Sequence, residues 1–154
     1  PTVMNKWRGW IGIIILSFFI SCSDDRVFEE FHAFNSLSWN DKDSVTFQLE
    51  NLKEKSGQKL IGVRFNEEYP YSNCYIRVIS QDTTGKILDN KLINVPLFDS
   101  KTGQPKGEGF GNTFTVYDTL PFELPDGTTE VLFLQYMRQE NLNGLESIGL
   151  KILK

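Results

Sequence analysis

The stretch "SVTFQLE" at residues 44–50 places Val45, Phe47 and Leu49 on one side of an extended chain and Thr46, Gln48 and Glu50 on the other. Successive side chains of a strand point to opposite faces, so this pattern belongs to a β-strand with one face in a core and one in water. The same period returns in "LIGVRF" (60–65) with Ile61, Val63 and Phe65, and in "YIRVI" (75–79) with Ile76 and Val78. It continues in "TFTVYDTLPF" (113–122) through Phe114, Val116, Leu120 and Phe122, and in "IGLKI" (148–152) through Ile148, Leu150 and Ile152. "VLFLQYM" (131–137) is apolar nearly throughout, which predicts a central strand buried on both faces. "KILDNKLINVPL" (86–97) is mixed and predicts a strand bent or bulged at Pro96.

Between these runs lies turn chemistry: "KSGQ" (55–58), "TTGK" (83–86), "SKTGQPKGEG" (100–109), "LPDGT" (124–128) and "LNG" (142–144). No run joins helical period to helical length, and a single turn over 139–145 is the one candidate for helix. Seven or eight short strands with frequent turns predict an all-β chain folded as an antiparallel β-sandwich, immunoglobulin-like or jelly-roll-like. The sandwich is expected over residues 44–154, preceded by a tether and lead-in over 22–43 in which "RVFEEFHAF" (26–34) is a candidate first edge strand.

The first 21 residues read as an export signal beginning at Met4, with Pro1, Thr2 and Val3 as extra residues ahead of it. Lys6 and Arg8 form a positive n-region, "WIGIIILSFFI" (10–20) an apolar h-region, and Ser21 is the small residue before Cys22. The uncharged stretch from Gly9 to Ser23 covers fifteen residues. As a helix it reaches roughly 22 Å, short of the roughly 30 Å of a bilayer core. "FISC" (19–22) resembles the lipobox of bacterial lipoproteins, in which the cysteine thiol takes a diacylglycerol and the chain is cut before it. Cys22 is therefore the expected lipidation site, and "SDD" (23–25) the polar start of the tether.

Loss of Lys6 and Arg8 with the signal takes the formal charge from −4 to −6. An acidic domain without a basic stripe is a poor match for nucleic acid, where phosphate contacts need clustered Lys and Arg. Cys74 is the only other cysteine and lies in the strand-like "NCYIRVIS" (73–80), so it reads as a small buried apolar residue. His32 is the lone histidine; with no second histidine and no cysteine cluster, neither a metal site nor a Ser-His-Asp set is expected. "GEGFG" (107–111) lacks the spacing and the Lys-Ser/Thr of a phosphate loop and reads as a tight loop that needs positive φ. Glu67 and Glu68 read as solvated loop acids in "NEEYPYSN" (66–73). Within that loop Tyr69, Pro70 and Tyr71, together with Arg138 after the apolar strand, form the candidate partner surface.

From Cys22 to the last strand the chain resembles the gliding-motility lipoprotein family called GldH. The likeness is carried by the cysteine of "FISC", Trp39 ahead of the first core strand, "EYPYSNCYI" (68–76), the glycine spacing of "GEGFG" followed by Asn112, and "YMRQENLNGLESIGLKI" (136–152). Asn112 stands where the family pattern has Asp, and Ser147-Ile148-Gly149 where it often has Asp-Val-Gly, which leaves a loop role for that acid unsupported here. The resemblance implies a non-enzymatic component of the gliding machinery, tied to type IX secretion and the outer membrane. It implies no catalytic residues, no cofactor beyond the covalent lipid on Cys22, and no small-molecule substrate. The implied partners are the membrane, through the lipid, and other machinery proteins, with the periplasmic face favoured over the cell surface. The alternative is a surface glycan-binding or nutrient-handling lipoprotein, which requires some of the rings of Trp39, Tyr69, Tyr71 and Tyr117 to lie coplanar and exposed.

Overall fold

The computed structural model describes residues 25–154, so the signal segment and Cys22 lie outside the described residues. The eleven strands are β1 (Arg26–Ala33), β2 (Ser38–Asn40), β3 (Val45–Gln48), β4 (Lys59–Phe65), β5 (Asn73–Gln81), β6 (Ile87–Pro96), β7 (Glu108–Phe110), β8 (Thr113–Thr119), β9 (Glu130–Gln135), β10 (Asn141–Asn143) and β11 (Leu145–Leu153). Their pairings are antiparallel throughout. One sheet runs β1-β11-β4-β8-β7, the other β3-β9-β5-β6, and β10 and β2 form a small ribbon.

The sandwich follows from the alternation. Ile61, Val63 and Phe65 of β4 and Ile148, Leu150 and Ile152 of β11 turn inward from the first sheet. Phe47, Val131, Phe133, Ile76, Val78 and Val95 turn inward from the second, and all of these join one buried cluster. Phe47 and Phe133 meet across neighbouring strands with ring centroids 5.1 Å apart. Each inward apolar side chain removed from water stabilises the fold by about 1.5–3 kcal/mol before conformational entropy is set against it.

Each of the eight runs singled out from alternation or composition holds a strand. The additional strands β2, β7 and β10 have three residues each, too few for a period to show. Residues 139–145, the candidate helical turn, instead contain β10, which pairs with β2. Within the lead-in over 22–43, the candidate first edge strand at 26–34 is present as β1, and β2 follows it. β1 is the edge strand of the first sheet and runs against β11 from Arg26 to Ala33. Trp39 is fully buried, stacks on Phe34 at 4.9 Å, and donates its indole N–H to the Asp43 carbonyl at 2.7 Å.

Two further expectations are corrected. β9 is central, but only one of its faces is buried, because Leu132 and Leu134 on the outer side are half-exposed. The irregularity of β6 sits at its Ile87 end, opposite Ser80 and Gln81, and not at Pro96. Pro96 closes the strand opposite Asn73 on the sheet edge, where a residue without an N–H costs little.

If residues 26–43 are integral to the core, Trp39→Ala is expected to lower unfolding free energy by about 3–5 kcal/mol, measured by chemical denaturation. A change under about 1 kcal/mol would return this segment to the status of a tether.

Candidate functional site

The residues chosen from the sequence as a partner surface fall in two separate clefts and differ in exposure. Tyr69 is not a surface residue: it is 4% exposed. Its hydroxyl donates to the Asn73 carbonyl at 2.7 Å, so the ring braces the start of β5 from inside. The loop before it is held tightly. Glu68 N–H donates to Asn66 Oδ1 at 2.9 Å, and Asn66 N–H donates to the Gly144 carbonyl at 2.9 Å. Gly144 has φ +84, and a Cβ there would lie 2.3 Å from the Tyr69 nitrogen, so only glycine admits this approach. Pro70 remains exposed, and the half-buried Tyr71 meets Tyr69 edge-on at 5.9 Å. Pro70 and Tyr71 border a shallow cleft with Glu67, Phe98 and Asp99.

Arg138 belongs to the other cleft, with Tyr75, Leu92, Tyr136 and Met137. It is exposed and has φ +59, a left-handed conformation in which few residues other than glycine settle. Gln135 builds the turn that holds it: its Nε2 donates to the Gln139 carbonyl at 2.6 Å, and its Oε1 accepts from Met137 N–H at 2.9 Å. The Arg77 guanidinium lies 4.5 Å from the Tyr136 ring centroid, a cation–π contact. Tyr75, Leu92 and Tyr136 are exposed, and Ile79, Leu132 and Leu134 are half-buried on the outward phase of the same sheet. Sequence reasoning missed this face because it followed the inward phase. The available signal was the apolar character of both phases of "VLFLQYM".

Cys74 is fully buried, and burial pushes its thiol up to about 12. Burial likewise raises the Tyr69 hydroxyl far above its ordinary range, with Cys74 beside it adding to the effect. Neither group is poised for nucleophilic chemistry near neutral pH. His32 lies on the edge strand, paired with Glu30 and edge-on to Phe47 at 5.0 Å. Among the described residues no group of three or more His, Cys, Asp or Glu is arranged to hold a metal ion.

"GEGFG" adopts positive φ at Gly107 (+79) and Gly111 (+62), and between them β7 pairs with β8. The tip of this hairpin carries Phe110, 91% exposed. The rings invoked for a glycan platform do not assemble into one. Trp39 and Tyr69 are in the core and Tyr71 leans on Tyr69; Tyr117 alone of the four is exposed, on the other sheet, where it meets Phe31 edge-on and its hydroxyl donates to Glu29 at 3.0 Å.

Two antiparallel sheets with surface clefts lined by aromatic side chains define the class as an all-β sandwich protein. The chain belongs to the GldH lipoprotein family, whose model matches residues 26–152. It is 26% identical to a gliding motility lipoprotein GldH homolog of Christiangramia forsetii, over 94% of each chain. It is equally 26% identical to the gliding motility lipoprotein GldH of Flavobacterium johnsoniae, covering 92% of this chain and 94% of that one. Among solved structures, the dimeric latent PorU of Porphyromonas gingivalis overlaps 80% of this chain and 12% of its own, with 11% identity and a TM-score of 0.38.

Gly144→Ala is expected to lose about 2 kcal/mol or more, because it combines positive φ with a backbone clash. An unchanged thermal midpoint would contradict the clamp on Tyr69. Because the folded Cys74 thiol holds its proton more tightly than the unfolded one, its contribution is complete below pH about 8.5 and is lost as pH rises toward 12. Denaturation midpoints between these limits should therefore fall less steeply for Cys74→Ala than for the parent chain.

Proposed function

We propose that this chain is a non-enzymatic lipoprotein subunit of the gliding-motility machinery, linked to type IX secretion. Acyl chains on Cys22 hold it at the outer membrane, with the sandwich on the periplasmic side. Family membership carries the reading: relatives covering more than nine-tenths of this chain are named as gliding motility lipoproteins. The cysteine at the foot of an apolar run supplies the chemistry of the anchor. Each buried acyl CH₂ contributes about 0.8 kcal/mol, so one chain holds marginally and several hold firmly.

The early start of β1 limits the tether. Only four peptide steps separate Cys22 from Arg26, a reach of at most about 14 Å. The sandwich therefore works close to the bilayer surface, and its docking faces meet partners there. Pro70 and Tyr71 at one cleft, and Arg138 with Tyr75 and Tyr136 at the other, offer aromatic and guanidinium groups of the kind that anchor protein interfaces. The partners are other proteins of the machinery; neither nucleic acid nor a small-molecule substrate is part of this reading.

Replacing Cys22 by Ala should move the protein out of the membrane fraction, abolish incorporation of a fatty-acid analogue, and impair colony spreading in a gliding host. Absence of label on the unaltered protein would remove the anchor from the account. Normal spreading by the Ala form would remove the need for it.

A further inference from the structure

β6 is the end strand of its sheet, and among the described residues no strand pairs with the peptide groups along its outer side; there the Asn90 N–H donates to Asp89 Oδ1 at 3.0 Å, a bond that a ladder to a second chain would replace. It is ten residues long. An open edge of this length is a template for another chain, and natural edges are usually kept short, bulged or guarded by charge. β6 carries two charges, Asp89 and Lys91, in an arrangement that favours one partner in particular.

Residues 88–92 read Leu-Asp-Asn-Lys-Leu. Laid antiparallel against itself about Asn90, this segment sets Leu88 opposite Leu92, Asp89 opposite Lys91, and Asn90 opposite Asn90. Apolar pairs and opposite charges directly across an antiparallel ladder stabilise it, whereas like charges destabilise it. A single two-fold axis through Asn90 produces the three central pairings at once, Asp89 with Lys91 twice and Asn90 with Asn90, as an isologous contact requires, with the irregular Leu88 at the rim. Within one chain Lys91 Nζ lies 3.8 Å from Asp89, so the axis would generate a cluster of four alternating charges. The register with β5 is regular from Asp89 to Pro96, and the irregularity at Leu88 ends the pairing segment there. Asn90, Lys91 and Leu92 are exposed, Leu92 by 45%.

We propose that β6 is a homodimerisation edge. A second copy of this chain adds antiparallel along residues 88–92 and joins the two four-stranded sheets into one of eight strands. The outer face gains continuity from the same step, because Leu92 borders the cleft of Tyr75 and Tyr136 in each copy. A foreign strand has no need of a self-matching sequence, and a lipid surface does not select an Asp-Asn-Lys row; the match of the segment to itself selects the second copy. This inference goes beyond the motility reading and does not depend on it.

The full-length lipoprotein in its membrane provides the test. Asn90→Cys places a thiol on the axis and should yield an interchain disulfide dimer that disappears on reduction. Asn94→Cys is the register control: its counterpart lies eight positions along the pair, about 26 Å away, far beyond the roughly 7 Å limit between bridged Cα atoms. Starting from Asn90→Cys, adding Lys91→Asp or Asp89→Lys alone should lower the dimer about ten-fold, since two attractive pairs become repulsive. The double exchange Asp89→Lys with Lys91→Asp should restore it. Cross-linking at 90 no greater than at 94, or a double exchange that fails to rescue, overturns the proposal. Either result leaves Cys22 labelling and colony spreading as independent readouts of the anchor.

Discussion

Burial of alternate side chains between two antiparallel sheets is the constraint on which the rest of this molecule depends. Phe47 and Phe133 on the neighbouring strands β3 and β9 of one sheet, and Val63, Ile148 and Leu150 of the other, leave water only if their strands keep register. A shift of one residue on any of these strands would turn polar side chains inward. Register therefore fixes which side chains face outward, and the outward set includes the groups discussed as docking surfaces. Tyr75, Arg77 and Leu92 share a face because Ile76, Val78 and Ile93 are committed to the core.

The same constraint shortens the tether. β1 is held along β11, and Trp39 is sealed inside, so the folded domain reaches back to within a few residues of the expected lipidation site.

Much of the strand set was legible in the sequence. "SVTFQLE", "LIGVRF" and "IGLKI" announce their inward residues through strict alternation, and each of those residues is buried. The three-residue strands were not legible: β2 and β10 are defined by each other from opposite ends of the domain, and β7 by its hairpin with β8, not by a pattern of their own. The partner surface was read with mixed success for a related reason. Tyr69 and Tyr71 look alike in "EYPYSN", yet the first is inside and the second at the rim. What separates them is the Gly144 backbone, which presses against residue 69 from a loop some seventy-five positions later.

The amino-acid sequence alone determined the class of fold, the family, and the chemistry expected at Cys22, because alternation, motif order and an apolar run ending in cysteine are local properties of a chain. Only the tertiary structure decided where folded structure begins, which aromatic rings reach the surface, and which strand stands at an open edge. Those outcomes depend on pairings between distant segments, as when β1 takes its place beside β11 and β6 is left with one neighbour. Solvent exposure is a property of that arrangement, and no single stretch of residues encodes it.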